Sequence, residues 1–215
     1  MQALSFTEKE LFGGAITANV PSTWTDLSNI RQVPDNQECF IDMTGLATLI
    51  FELNERVEKE NDEEAVKFHL SDIFEESPYK IWKSSRLEAG DAPLLNGIPA
   101  YAMIITTPYI ENRRDRVGHE SQFVALAVVI VRLEKQKTDI VITANMPHSL
   151  QEASDEPTIC PPGYEAEKGF AEDYVWTPEN AAQPLKNLLA TIEQGAKTFN
   201  IHDFGLFVNE EEEEN

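Results

Sequence analysis

The sequence predicts an α+β fold, a single domain in which amphipathic helices cover a mainly antiparallel sheet. Successive strand-like segments are joined by short links, which favours antiparallel pairing. Other segments carry apolar residues at helical spacing, and such faces must be buried against another element. The chain has 215 residues, 41% of them hydrophobic, which is enough for one substantial core and short for two domains.

Three segments have the apolar periodicity of helices. Residues 44–59 show it most clearly, because five apolar side chains form one stripe. These are Leu46, Leu49, Ile50, Leu53 and Val57. Residues 62–75 are the second predicted helix, with Asn61 and Glu64 at the spacing of an N-terminal capping box. The third predicted helix covers residues 182–198.

Six segments are predicted strands because they are rich in β-branched and apolar residues or alternate between apolar and polar. They are residues 11–20, 38–43, 79–87, 99–107, 122–133 and 138–146. In the first of them, Gly13-Gly14 indicates a bulge or a close approach of the backbone. A short charged link joins the last two strands, so we expect them to be antiparallel neighbours. Residues 25–30 are predicted to form a short helical turn.

The single domain is expected to span residues 11–208. Residues 1–10 are interpreted as an N-terminal extension. A long surface loop is predicted at residues 148–180, because this stretch is rich in proline and acidic residues and lacks periodicity. The glutamate run within residues 209–215 is predicted to be a solvated acidic tail.

The charge of the chain narrows the classes of partner. With 38 acidic and 17 basic residues, the formal net charge is -21. This surface repels phosphate backbones and anionic lipids, so neither a nucleic-acid nor a membrane partner is expected. A basic protein partner is favoured, and the alternative is that the charge serves solubility alone. Residues 1–10 lack the pattern of a signal peptide, and we expect the protein in the nucleus and cytoplasm.

Side chains suited to catalysis are present without a recognisable arrangement. The four histidines have no second His or Cys at metal-ligand spacing, and no nucleophile elbow, P-loop or dinucleotide motif occurs. Cys39 follows Glu38, whose charge disfavours a thiolate. The sequence therefore predicts no metal, no cofactor and no enzymatic activity. An unidentified carboxylate-based enzyme is the alternative that it leaves open.

The most informative stretch for function is Val-Pro-Asp-Asn-Gln-Glu at residues 33–38. Proline followed by Asp and Asn favours a β-turn. Asp35 is expected at the exposed tip of this turn, and Glu38 just inside the next strand. Both carboxylates would then face one direction on a rigid edge. The alternative is a plain turn with solvated acids.

This stretch is part of a longer resemblance. Residues 11–17 (Leu-Phe-Gly-Gly-Ala-Ile-Thr), Ile30-Arg31 and residues 33–38 resemble the amino-terminal motif of the Ran guanine-nucleotide release factors. Asp26 falls in a matching place. Supporting matches lie further along the chain, in the helix that contains Phe-His and in a strand, hairpin and Asn-x-Pro ending. They are at residues 66–72, 128–133, 138–142 and 145–147.

The resemblance implies a fold and a function. Members of the family fold as an α/β/α sandwich with a six-stranded, mainly antiparallel sheet, similar to the photosystem subunit PsbP. They bind the nuclear GTPase Ran, promote release of its guanine nucleotide and thereby support nuclear protein import. The resemblance places Ran binding on the acids Asp35 and Glu38.

The expected partner surface also includes neighbours of these two acids. They are Asn36, Gln37, Asp26 and Arg31. We expect the protein to act by binding, as a monomer. The alternative function is that of an acidic transport adaptor, which binds a GTPase or another basic partner without releasing nucleotide.

Overall fold

The computed structural model describes residues 4–43, 47–75, 77–108, 121–149 and 183–207. In this part of the chain the strands are β1 Phe6–Leu11, β2 Ile16–Pro21, β3 Thr25–Asp26, β4 Gln37–Ile41, β5 Thr48–Glu55, β6 Lys80–Arg86, β7 Ala100–Pro108, β8 Ser121–Leu133, β9 Thr138–Ser149 and β10 Asn200–Ile201. The helices are α1 Asp62–Phe74 and α2 Gln183–Thr198. Neither helix is both long and apolar enough to cross a membrane.

The main sheet has seven strands in the order β3-β4-β5-β9-β8-β7-β6. All of its pairings are antiparallel. The long central strands β8 and β9 form the predicted hairpin, with Leu133 opposite Thr138 at its closed end. A second, small sheet has the order β1-β2-β10, and its pairings are antiparallel too.

Each face of the main sheet has its own hydrophobic core. Alternate residues of β8 point to opposite faces, so Val129 joins one core and Val128 joins the other. The first core packs against α2, through Leu188, and against the small sheet, through Ile16. The second core packs against α1, through Leu70. This arrangement confirms the predicted α+β class and its α/β/α layering.

Two of the three predicted helices are confirmed, α1 together with its N-cap and α2 together with its buried face. Asn61 is the N-cap of α1, and its side chain accepts a hydrogen bond from the backbone N–H of Glu64 at 3.0 Å. In α2, Leu188 and Ala196 are buried against the sheet, as the apolar stripe predicted.

The prediction of a helix at residues 44–59 is wrong. Residues 48–55 form strand β5, which pairs with β4 on one side and β9 on the other. The same segment also alternates, since Leu49 and Phe51 are buried while Ile50 and Glu52 are less so. Pairing along both edges favoured the strand over the helical periodicity, because tertiary contacts override local propensity.

The prediction of one continuous strand at residues 11–20 is also wrong. The chain turns back at Phe12–Gly14, and β1 and β2 form a hairpin around this turn. Residues 6–10 of the expected N-terminal extension therefore lie in β1 and pair with β2. The expected loop begins inside β9, which runs to Ser149. The rest of that loop and the acidic tail lie outside the described residues.

Candidate partner-binding surface

The predicted turn at residues 34–37, called the acidic turn below, is present. The backbone N–H of Gln37 donates to the carbonyl of Pro34 at 2.9 Å, which closes a β-turn with Asp35 and Asn36 at its centre. Asp35 is exposed. The turn leads directly into β4, so the Asp35 carboxylate is presented at the entry to the main sheet.

Asn36 fastens the acidic turn to β5. Its side-chain amide donates to the carbonyl of Leu53 at 3.1 Å, and its own carbonyl accepts from the Leu53 N–H at 2.9 Å. Next to it, the amide of Gln37 donates to a carboxylate oxygen of Glu52 at 2.9 Å. Both side chains thus hold the turn in place, a role that the sequence analysis did not assign to them.

Glu38 makes a long-range contact. Its Oε1 accepts a hydrogen bond from the backbone N–H of Phe12 at 2.8 Å, between positions 26 residues apart. On the sheet, Glu38 lies opposite Phe51, which is fully buried in the first core. Residues opposite one another share a face, so Glu38 lies where this face meets the small sheet. It is half-buried, whereas Asp35 is exposed.

Asp26 and Arg31 precede the acidic turn in the chain, and Asp26 lies opposite Phe40 of β4. Oδ1 of Asp26 accepts from the backbone N–H of Ser28 at 2.8 Å and so caps a 3₁₀ turn at Leu27–Asn29. Arg31 is exposed. Both charges act on the buried thiol of Cys39 in β4: burial raises the pKa of Cys39, Arg31 lowers it and Asp26 raises it.

The turn at Phe12–Gly14, which Glu38 contacts, was not predicted from the sequence. From the sequence, its glycines indicated a bulge or a close approach of the backbone inside one strand. Phe12 has a φ of 50°, which is rare for a residue with a bulky side chain and was not predictable from its type. A clue was present in the paired glycines, which permit a left-handed turn at this place.

Another polar cluster lies on the opposite side of the sheet, under α1. Asp139 is fully buried, and its Oδ2 lies 2.8 Å from Nε2 of His69. Nε of the buried Arg132 lies 3.4 Å from Oδ1 of Asp139 and 3.4 Å from Oδ1 of Asp62. His69, Arg132 and Asp139 are buried, whereas the Asp62 side chain at the edge of the cluster is 33% exposed.

The exposed Asp35 carboxylate is available for a charged contact with another protein. Within residues 4–43, 47–75, 77–108, 121–149 and 183–207, no group of three or more His, Cys, Asp or Glu side chains is placed to hold a metal ion. An exposed carboxylate on a hydrogen-bonded turn can pair with a Lys or Arg of another protein.

Comparison with known proteins places the chain in a family. The family described as Ran-interacting Mog1 protein matches residues 9–147. The chain belongs to the Ran-interacting Mog1 protein family. The matched range contains the Phe12–Gly14 turn, the acidic turn and the central β8–β9 hairpin.

Individual Mog1 relatives match along most of their length. A protein of Dictyostelium discoideum, described as a probable Ran guanine nucleotide release factor, is 28% identical over 95% of this chain and 98% of its own. The nuclear import protein MOG1 of Saccharomyces cerevisiae is 32% identical over 68% of this chain and 69% of its own. The human Ran guanine nucleotide release factor is 27% identical over 92% of this chain and 94% of its own.

The fold is also shared with a solved Mog1 structure. The crystal structure of the S. cerevisiae Ran-binding protein Mog1p has a TM-score of 0.61 to this chain and is 21% identical to it. The likeness covers 96% of this chain and 100% of the yeast chain.

Proposed function

We propose that the protein binds the small GTPase Ran and promotes release of its bound guanine nucleotide, in support of nuclear protein import. The observation that carries the site assignment is the exposed Asp35 carboxylate on a turn that Asn36 fastens to β5. Membership of a Ran-interacting family and relatives described as release factors and nuclear import proteins support the choice of partner. The proposed places of action are the nucleus and cytoplasm.

The geometry of the acidic turn favours tight pairing with a basic partner. A turn that is already fixed loses little conformational entropy when it docks. The net charge of -21 adds long-range attraction, which raises the association rate and weakens with salt. Glu38, Asp26 and Arg31 complete the proposed surface around Asp35, while Asn36 and Gln37 hold it in place.

The proposed mechanism is release by differential binding, without covalent chemistry. Nucleotide leaves faster only if the protein binds nucleotide-poor Ran better than nucleotide-loaded Ran. The carboxylates of Asp35 and Glu38 would achieve this by competing with the nucleotide phosphates for lysines of the GTPase.

Charge reversal at the exposed acid tests the site. We expect Asp35→Lys to weaken Ran binding by about tenfold or more, because truncating one member of an interfacial charge pair commonly costs about 2–5 kcal/mol. Asp72→Lys is the matched control, since Asp72 is exposed on α1 across the sheet. Equal affinities of the two variants, measured by calorimetry, would reject this role of Asp35.

A second measurement separates release from simple binding. Purified Ran loaded with fluorescent GDP is mixed with the protein and an excess of unlabelled nucleotide. Faster loss of the label supports a release factor. Binding without faster loss supports the alternative, an adaptor that contacts Ran and leaves its nucleotide in place.

A further inference from the structure

The Phe12–Gly14 turn packs beside a second segment from the far end of the chain. The backbone N–H groups of His202 and Asp203 both donate to the carbonyl of Ala15, at 2.9 and 3.2 Å. One step before them, β10 pairs with β2. Residues 202–207, called the closing loop below, are therefore fixed against the small sheet.

A shallow cavity of about 440 Å³ lies between these two segments. Its walls are the Phe12–Gly14 turn, Ala15, Asp203, Gly205 and Leu206. The next residue along, Phe207, is buried in the first core and anchors the loop. Phe204, between two of the lining residues, has 41% of its surface exposed. A large aromatic side chain is thus exposed on the anchored loop, between two residues that line the cavity.

The wall formed by the turn is strained. Phe12, Gly13 and Gly14 all have positive φ, at 50°, 67° and 90°. For the non-glycine residue this conformation costs on the order of 1–3 kcal/mol, and such strain is characteristic of functional sites. The bond from the Phe12 N–H to Glu38 stabilises the turn. The same bond joins the cavity wall to the strand that follows the acidic turn.

Two acidic side chains lie at the cavity. The carboxylate of Glu10 lies beside Gly14, such that a Cβ added at Gly14 would meet the Glu10 carboxyl group at 3.9 Å. On the other side, Asp203 is exposed and forms part of the wall. The cavity therefore combines hydrophobic surface, from Phe12 and Leu206, with acids at its sides.

We propose that the Ran interface extends from the acidic turn, across Glu38 and the Phe12–Gly14 turn, to the cavity and Phe204. This inference rests on the proposed function. The ligand class that fits is a Lys or Arg side chain of the GTPase, whose aliphatic stem packs on Phe204 while its charged end meets Asp203. Phe204 supplies an aromatic contact at one end of this interface, and aromatic side chains often contribute a large share of binding energy.

Two substitutions test the two parts of this surface. Phe204→Ala removes the aromatic ring. Asp203→Asn removes the charge but keeps an oxygen to accept the hydrogen bond from the Gly205 N–H, which Oδ1 of Asp203 now accepts at 2.7 Å. The matched controls are Phe68→Ala and Asp72→Asn on α1, beyond the opposite face of the sheet, where Phe68 is 47% exposed.

We expect Phe204→Ala to weaken Ran binding by about tenfold and Asp203→Asn by about threefold, with the controls unchanged. Thermal melting of each variant checks that the fold is retained. Hydrogen exchange of the unmodified protein gives a second measurement that needs no variant. Ran is expected to slow exchange at the amides of the Phe12–Gly14 turn and of the closing loop.

The outcomes separate this inference from the proposed function. If the unmodified protein does not bind Ran, both are overturned. If Asp35→Lys weakens binding while both loop variants bind like their controls and the loop amides gain no protection, the extended interface alone is overturned. Weaker binding of the loop variants together with protection of the loop amides supports it.

Discussion

Oε1 of Glu38 lies 2.8 Å from the backbone nitrogen of Phe12, so a strand of the main sheet holds the strained turn of the small sheet. A carboxylate that accepts a backbone N–H makes one of the stronger hydrogen bonds in proteins. Glu38 therefore has a structural task besides any contact with a partner.

The first prediction follows from this bond. Glu38→Ala leaves the N–H of Phe12 without its acceptor, and we expect the free energy of unfolding to fall by about 1–3 kcal/mol. Glu38→Gln keeps an acceptor oxygen and should recover more than half of the loss. The measurement is urea denaturation followed by tryptophan fluorescence.

The isosteric variant Glu38→Gln also separates the effect of Glu38 on stability from its effect on Ran binding. Glu38→Gln removes the negative charge, so its effect on Ran affinity reports the charge rather than the turn. If Glu38→Ala proved as stable as the unmodified protein, the bond to Phe12 would contribute nothing to the fold.

The second prediction concerns Asn36. Its side-chain amide donates to the carbonyl of Leu53, so Asn36→Ala removes this bond, keeps the backbone bond to Leu53 and should loosen the acidic turn. We expect a loss of about 0.5–1.5 kcal/mol in unfolding free energy. The neighbouring Asp35 is exposed, and Asp35→Ala should change stability by less than about 0.5 kcal/mol.

The two variants are expected to differ in opposite directions in unfolding free energy and in Ran affinity. Asn36→Ala is expected to lower stability most, and Asp35→Ala to lower Ran affinity most. The opposite assignment, with Asp35→Ala destabilising and Asn36→Ala silent, would contradict the division of roles drawn from the turn.

The local sequence was sufficient to predict some helices and strands of this chain and insufficient to predict others. Helix α1 was predictable because its signals are local. Its cap, Asn61, directly precedes the helix, and its apolar face lies within the helix. Strand β5 was not, because Leu49 and Leu53 fit a helical stripe as well as an alternating strand. The choice depends on β4 and on β9, which is paired from about 90 residues away.

The same limit applies to the candidate surface. Asp35 was predictable as the tip of a turn, since Pro34 and Asn36 favour that turn locally. The contact between Glu38 and Phe12 was not, because it depends on how the small sheet packs on the large one. The position of the closing loop was not predictable for the same reason: only folding brings it beside the Phe12–Gly14 turn.

The third prediction concerns the buried cluster around Asp139. This carboxylate accepts from the Val57 N–H at 3.0 Å, contacts His69 at 2.8 Å and forms an ion pair with Arg132. Asp139→Ala leaves the positive charge of the Arg132 guanidinium buried, with one fewer carboxylate beside it. Breaking a buried pair in this way typically costs about 3–5 kcal/mol. Urea denaturation measures the loss, and Asp72→Asn on the exposed side of α1 is the control.

The cluster also joins separate elements, since Arg132 donates to the carbonyl of Val57 at 2.8 Å beyond the end of β5. Because His69 of α1 contacts Asp139 of β9 at 2.8 Å, we also expect Asp139→Ala to loosen α1 against the sheet. A loss below about 1 kcal/mol would contradict the role of this ion pair in stability.

The fourth prediction concerns the thiol of Cys39. Burial raises its pKa above the ordinary value of 9.0, Arg31 lowers it and Asp26 raises it. Because the folded protein holds this proton more tightly than the unfolded chain, the group favours folding below about pH 9. That contribution is lost as the pH rises through the raised pKa of the folded state.

Alkylation reports on the same thiol, since the thiolate is the reactive form and the buried side chain restricts access of the reagent. The chain has two cysteines, so Cys160→Ser leaves Cys39 as the single reporter. At pH 8 we expect native Cys39 to react with iodoacetamide at least about tenfold more slowly than after unfolding in urea.

Arg31→Gln, in the same Cys160→Ser background, removes the charge that stabilises the Cys39 thiolate and should slow the reaction further. Access to the thiol changes little, because Arg31 is exposed. The direction of this change is therefore decisive. A faster reaction in the Arg31 variant would mean that its guanidinium covers the thiol instead of stabilising the thiolate, and Arg31 would then be less available to the partner surface.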